Sequence, residues 1–593
     1  MIEKMTKYSF VLLSADKEEF LSRLQELGLV DITRSEKPVD EQSQSLLATA
    51  ELRNGLINGL RSADIPEGTK PIEYGKDEDI ERVAGGTLML YNEFRQKVGE
   101  LQKELDECSI WGSFDHSTLN TLANAGAQIH FHKLSQKRFL PEWNETYALT
   151  EIGRDKSNIY FIVAGEDGLP GEIPVPDKDA ATISAELEKT QSEFDKYAGE
   201  ILALRERIPE LEASSAAAIT DLDRYLAGVS ANTAAEDKIV IMEGFCPAEK
   251  VADADAFIEQ SKALCIKEDA VLEDNPPIEF KNNRFVKMFE VLTDMYGRPA
   301  YNGFDPTPYI AIFFMLFFAF CMGDAGYGLI LIALGLGLKK ALGDLSPLVV
   351  TLGVATTVIG FLFHTFFSMD IAQWQMFAPI KGIFLPSKIA GYDGTMILSL
   401  IVGIVHLCIA MVVKTYTATK QNGFLGSLGT WGWTLLIVGG VIVGTFALLG
   451  VIDKGITKMI IIVLGVLSAI GIFLLNDIHR NPLANIGSGL WETYNTITGL
   501  LGDVLSYLRL YALGLAGSML GKAFNDIGSM VLGDGSSIGL WIPFILIILV
   551  GHTLNIAMAA LGAFVHPLRL NFLEFFKNSG YEAAGRNYNP LKK

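Results

Sequence analysis

Leu505-Ser506-Tyr507-Leu508-Arg509-Leu510-Tyr511-Ala512-Leu513 sets an arginine deep inside an apolar run over residues 490–521. A membrane-spanning helix needs ~20 apolar residues. A cation near its centre costs ~2.5–3.5 kcal/mol or more, so such a residue is a functional candidate by default. Seven further apolar runs accompany this one, at 307–322, 324–338, 346–367, 395–416, 430–451, 457–475 and 538–573. They predict an all-α polytopic membrane domain of eight helices over 307–575, with helices seven and eight long and tilted. Only Gly323 and Asp324 separate the first two runs, which predicts a tight structural turn there.

Two of the eight runs carry polar patterns. In the seventh, at ~100° per residue, Asn495, Gly502, Ser506 and Arg509 fall on one face, with Glu492 and Asp503 a little to the side. In the eighth, His552, Asn555, Ala559, Gly562, His566 and Arg569 recur at helical spacing and form a polar-and-small stripe. The competing reading of that stripe is a dry packing seam, with Arg569 snorkelling near the helix end. His552, Asn555, His566 and Glu574 are the candidates for lining an ion path, with Glu492 and Asp503 opposite.

Charge divides the 593 residues in two. Residues 1–280 carry 29 basic and 54 acidic side chains, and residues 281–593 carry 20 and 15, for a net charge of −20. The acidic half would repel phosphate, which argues against a nucleic-acid partner. It reads as α/β lobes at 5–33, 127–164 and 238–266, joined by long helical stretches at 78–108 and 181–227. Each stretch has one apolar stripe and a charged remainder, which predicts an antiparallel coiled-coil rod. Pro209 should bend the second stretch. A single folded helical domain is the alternative. The predicted division is a soluble domain at 1–280, a linker at 281–306, the membrane domain at 307–575 and a tail at 576–593.

No catalytic constellation or cofactor motif is present. Gly521-Lys522 lacks the rest of a phosphate loop. Gly335 and Gly337 read as helix-packing residues. His130 and His132 share a strand face, where an exposed face is the simpler reading than a metal site. The five cysteines are scattered without a C-x-x-C pair, which argues against disulfides and structural zinc. No signal-like run precedes the acidic half, so it is expected in the cytoplasm. With eight spans both termini share one side. The loops there hold Lys339, Lys340, Lys414, Lys420, Arg480, Lys577, Arg586, Lys592 and Lys593, against Lys381, Lys388, Lys454, Lys458 and Lys522 opposite. This bias places both termini in the cytoplasm.

The stretch Gly502-Asp503-Val504-Leu505-Ser506-Tyr507-Leu508-Arg509-Leu510-Tyr511-Ala512-Leu513-Gly514-Leu515-Ala516 resembles the seventh-helix signature of the membrane stator subunit of V/A-type rotary ATPases, subunit a of eukaryotes and subunit I of bacteria and archaea. Asp305-Pro306-Thr307-Pro308, Met322-Gly323-Asp324-Ala325-Gly326-Tyr327-Gly328, Gly244-Phe245-Cys246-Pro247 and His566-Pro567-Leu568-Arg569-Leu570-Asn571-Phe572-Leu573-Glu574-Phe575 match further family patterns. One segment departs: Phe363-His364-Thr365-Phe366-Phe367-Ser368 stands where the family has a glycine-rich Phe-Gly pattern. The resemblance implies a non-catalytic ion-translocating subunit that forms half-channels for H⁺ or Na⁺ against a proteolipid ring. It also implies anchoring of E/G-type peripheral stalks, contact with the central stalk and other rotary ATPase subunits, and residence in the lipid bilayer of a prokaryotic cell membrane. A secondary transporter with a cytosolic regulatory domain is the rival reading. It would more often show an internal repeat, and none is evident.

Overall fold

The structure, a computed structural model, describes residues 1–592 apart from 36, 73–78, 156, 166–167, 262, 374–381, 383, 387, 390, 476–481 and 534–537, with backbone alone for 373, 482–484 and 538. Lys381, Arg480 and Lys593 from the loop-charge comparison therefore lie outside the described residues. Two units form. One comprises Met1–Leu12, Leu29–Ile32 and Met242–Pro590, and the other Leu13–Gly28, Thr33–Ile241 and Leu591–Lys593.

The acidic half is mixed α/β. In chain order it contains β1 (Met5–Leu13), α1 (Lys17–Leu27), β2 (Asp31–Ile32), α2 (Glu41–Ser62), α3 (Ile80–Cys108), α4 (His116–Asn124), β3 (Ile129–Ser135), β4 (Leu149–Arg154), β5 (Asn158–Ala164), β6 (Glu172–Ile173), α5 (Ala180–Glu206), α6 (Ile208–Val229), β7 (Asn232–Ala234), β8 (Ile239–Pro247), α7 (Val251–Glu259) and β9 (Leu264–Asp269).

In the first unit the strands run β2-β8-β1-β9. β1 lies antiparallel to β9 with Tyr8 opposite Lys267, and Tyr8, Phe10 and Leu12 are buried. The segment after the last membrane helix returns to this sheet. Arg586 pairs with the buried Asp31 at 2.9 Å, and Ile278 N–H donates to the Arg586 carbonyl.

In the second unit four helices pair antiparallel, α2 with α6 and α3 with α5. The order of contacts shows the direction: Asp40 meets Tyr225 and Asn54 meets Ser215, while Thr87 meets Glu200 and Tyr91 stacks on Phe194. The predicted stretch 78–108 is α3. The stretch 181–227 divides at Arg207, with Pro209 in the first turn of a new helix, where its missing N–H costs nothing. α2 was not anticipated, because its buried positions are only Ser43, Ala50, Ile57 and Leu60. Between α3 and α5 sits the sheet β4-β5-β3-β6. His130 and His132 do lie on β3, but the exposed-face expectation fails for His132. It is fully buried and stacked on Phe161 at 4.9 Å. Among the described residues no group of ligands could hold a metal ion.

The basic half is helical. Its main helices are α8 (Thr307–Met322), α9 (Ala325–Gly337), α10 (Ser346–Leu362), α11 (Gly394–Gly426), α12 (Leu428–Leu448), α13 (Lys454–Phe473), α14 (Pro482–Ser506), α15 (Leu508–Leu532) and α16 (Ile538–Arg569). Among the described residues, six helical stretches are long and apolar enough to cross a membrane, and α8 and α9 are shorter apolar helices. The expected seventh run tightens for one turn at Tyr507, whose backbone stays right-handed helical, and α14 and α15 continue as one stretch over Asn485–Leu532.

Glycines set the closest contacts. α9 and α10 run antiparallel with Gly328 against Thr357, Gly335 against Val350, and Gly360 against the Ala325 backbone. Gly335 thus has the packing role read from sequence, whereas Gly337 faces open space. Overfilling a close-packed seam costs ~1–3 kcal/mol. Gly328→Leu and Gly360→Leu should therefore lower the thermal unfolding midpoint of the detergent-solubilised protein. Gly337→Leu should leave it unchanged.

Candidate functional site

Arg509 sits in the first turn of α15, two residues past the tightened turn at Tyr507. It is half-buried, and its Nη1 has no hydrogen-bond partner among the described residues. Cys321 at the end of α8 lies within its field. His566 lies within the field of both Arg509 and Arg569. Arg569 ends α16 on an exposed face. The chain then enters a π-helical turn, Leu570–Phe575. Such turns are rare and concentrate at functional sites.

That turn buries Glu574, whose Oε2 has no partner, next to Ser506, Asp503 and Arg569. Asp503 pairs with Lys577 at 3.3 Å and accepts from Asn578 at 2.7 Å. Arg509, His566, Arg569, Glu574, Asp503 and Ser506 thus gather where α14, α15 and α16 meet. The arrangement presents cations and a buried carboxyl with unspent hydrogen-bonding capacity in an apolar setting.

His552 and Asn555 lie elsewhere. Both are buried in a network with Tyr327 of α9. Tyr327 Oη is 2.7 Å from His552 Nδ1, Asn555 Nδ2 donates to Tyr327 Oη at 2.7 Å, and His552 Nε2 is 3.0 Å from Asn525 Oδ1. Sequence reasoning gave no role to Tyr327, the one polar side chain on α9, or to Asn525, which sits between Lys522 and Asp526 near the end of α15.

Gly323, in the left-handed region at φ 56°, ends α8, and Asp324 caps α9 by accepting from Gly326 and Tyr327 N–H. The two helices pack on α10. The Asp324 carboxylate also accepts from Phe367 N–H at 2.9 Å and Ser368 N–H at 2.6 Å. Those bonds hold the segment that departs from the family pattern. His364, Phe367 and Ser368 have positive φ of 50°, 47° and 58°, a conformation glycine adopts freely and other residues reach at a cost. Asn525 secures the same turn by donating to the Phe367 carbonyl at 2.8 Å.

Two cavities are lined by the chain on either side of Arg509 in sequence. A cavity of ≈ 250 Å³ is lined by Glu492, Asn495 and Thr496 of α14, with Lys414, Lys577 and Asn578. A second, of ≈ 190 Å³, is lined by Tyr511 and Ser518 of α15, with His364, Asp393 and Thr395. Both touch α11, one from Ser399 back towards its start and the other from Met411 onwards. At ~1.5 Å per residue these edges are ~18 Å apart along the helix.

A model of the V-type ATPase 116kDa subunit family matches residues 226–342 and 492–593, the second segment containing Arg509 and the gathered residues around it. The A-type ATP synthase subunit I of Methanocaldococcus jannaschii is 28% identical over 95% of this chain and 83% of its own length. The V-type ATP synthase subunit I 1 of Treponema pallidum is 26% identical over 100% of both. Along nearly its whole length the chain is thus similar to subunit I proteins.

A crystal structure of the cytoplasmic N-terminal domain of subunit I, homolog of subunit a, of V-ATPase covers 44% of this chain and all of its own at 12% identity and a TM-score of 0.20. The six long apolar helical stretches and the similarity to subunit I proteins make this chain a multi-pass membrane protein. Its left-handed turn after α10 depends on one carboxylate. Asp324→Asn would weaken the charge-assisted bonds to Phe367 and Ser368, each worth ~1.5–3 kcal/mol. Its thermal midpoint in detergent should fall, and adding Ser368→Gly should recover part of the loss by relieving the strain.

Proposed function

We infer that the chain is the membrane stator subunit of an A/V-type rotary ATPase, coupling H⁺ or Na⁺ movement to ATP hydrolysis or synthesis. The observation that carries this reading is Arg509. It is a half-buried guanidinium with an unpartnered nitrogen, with one cavity along the preceding helix α14 and another along its own helix α15. Two separate cavities, one at the start of α11 and one from its middle onwards, fit two aqueous half-channels that do not meet. Glu492 belongs to one, and His364 and Asp393 to the other. Asp503, Ser506, His566, Arg569 and Glu574 flank the space between, and His552 and Asn555 brace the second side.

The chemistry follows from the charge. An arginine stays protonated even when poorly solvated, with a pKa above ~12. A carboxylate arriving on a rotating proteolipid subunit is stabilised as its anion beside that charge and releases its ion into one half-channel. Past the arginine it reloads from the other. The fixed positive charge also bars a direct cation leak.

On this reading the subunit itself is non-catalytic, and ATP is handled by other chains. Residues 1–280 form a cytoplasmic stalk-binding domain of α/β lobes on a coiled-coil rod that holds E/G-type peripheral stalks. Residues 281–306 link it to an eight-helix membrane domain, 307–575, that faces the proteolipid ring in the cell membrane. The tail, 576–593, is cytoplasmic with the N-terminus. A secondary transporter is disfavoured by full-length relatives named as subunit I.

Arg509→Ala and Arg509→Lys should assemble with the complex yet lower ion pumping into vesicles by ~100-fold or more, the scale on which losing a positioned charge acts. Arg569→Lys should be milder. Normal pumping by an assembled Arg509→Ala complex would sink this reading.

A further inference from the structure

His406, near the middle of α11, is fully buried in the membrane half. Its Nδ1 lies 2.9 Å from the hydroxyl of Tyr507, the residue at the tightened turn between α14 and α15. Its ring stacks on Phe575 at 4.7 Å with 6° between the planes, and Phe575 closes the π-turn that follows Arg569. Phe313 packs on the imidazole at 4.1 Å. One imidazole therefore touches the segment that carries Arg509 and the segment that carries Arg569 and Glu574.

Burial of this ring is costly. Nε2 of His406 has no hydrogen-bond partner among the described residues, and leaving a buried polar atom without one is destabilising. A phenylalanine would fill the same aromatic nest without that cost. What it would lose is the bond to Tyr507. Tyr507 is itself fully buried, its ring set against Gly403 one turn before His406, where any side chain would collide with it. The tyrosine is thus fixed in direction by Gly403 and in depth by His406. Around it the helix tightens: Tyr507 N–H donates to the Val504 carbonyl and Leu510 N–H to the Tyr507 carbonyl, both three residues back rather than four. The rotation of α15, and with it the direction of Arg509 two residues on, is set at this joint.

We propose that His406 is a positioning residue for Arg509, acting through its hydrogen bond to Tyr507. The proposal rests on the stator reading above. Two substitutions separate the two contacts of the ring. His406→Phe keeps the aromatic stack and loses the hydrogen bond. His406→Asn places an amide where Nδ1 stood, keeps the hydrogen bond and loses the stack. Tyr507→Phe removes one oxygen and nothing else.

The assay is ions pumped per ATP hydrolysed by the intact complex in vesicles, with assembly checked by copurification and stability by thermal midpoint. Tyr507→Phe and His406→Phe should each lower the pumping ratio about tenfold, because misaiming a positioned group is costly in rate. The double variant should be no worse than either. His406→Asn should stay within about threefold of the parent even if its thermal midpoint falls.

If the histidine only packs, the order reverses: His406→Phe pumps normally and His406→Asn suffers. That result would overturn the proposal. Should His406→Phe fail to assemble, Tyr507→Phe decides alone, and normal pumping by it refutes the role. Arg509→Ala in the same series separates the two readings. If that complex pumps, the stator function falls. If it is dead while Tyr507→Phe pumps normally, only the positioning role falls.

Discussion

A guanidinium held in an apolar surround without a full set of partners is the constraint around which the membrane half is arranged. Water would solvate Arg509 fully, while lipid would reject it. The protein does neither. It leaves Nη1 buried and open, with His566 in the field of both Arg509 and Arg569. The neighbouring elements are then less free to be regular. The helix tightens at Tyr507 between α14 and α15, α16 passes into a π-turn, and a histidine is sealed among phenylalanines. Each irregularity borders a segment bearing one of the ionisable groups, and the peripheral pair α12 and α13 is regular throughout.

Much of this was legible beforehand, and the reasons differ by residue. Arg509 was visible because a charge in an apolar run has no ordinary explanation. Gly323 and Asp324 were visible because they were the only punctuation between two such runs. His566 followed from spacing along the last helix, and Glu574 from the pattern His566–Phe575 that the family resemblance rests on. His406 and Tyr507 were not legible. His406 is one polar residue in a long greasy stretch, Tyr507 is overshadowed by the arginine two residues on, and their pairing joins helices a hundred residues apart in sequence. Helix α2 escaped for the opposite reason, since its buried face is built of serine and alanine as much as of isoleucine and leucine. His132 was misread because strand alternation identifies a shared face but not which face is covered.

The turn after α10 shows how a chain can depart from a glycine-rich pattern and keep its path. His364, Phe367 and Ser368 hold left-handed conformations, each costing ~1–3 kcal/mol unless the surroundings fix it. The Asp324 carboxylate takes two of the N–H groups, and Asn525 takes a carbonyl. What glycine would have supplied by freedom, this sequence supplies by anchoring. The same asparagine meets His552, so the turn and the last long helix share one support.

The ion pair between Arg586 and Asp31 links positions 555 residues apart. During synthesis at ~5–20 residues per second, Asp31 therefore waits roughly half a minute or more for its cation. In the finished protein that carboxylate is almost wholly enclosed and also accepts from Asn589 N–H. Both contacts come from the segment after the last membrane helix, so the first sheet gains them only once that helix has left the ribosome.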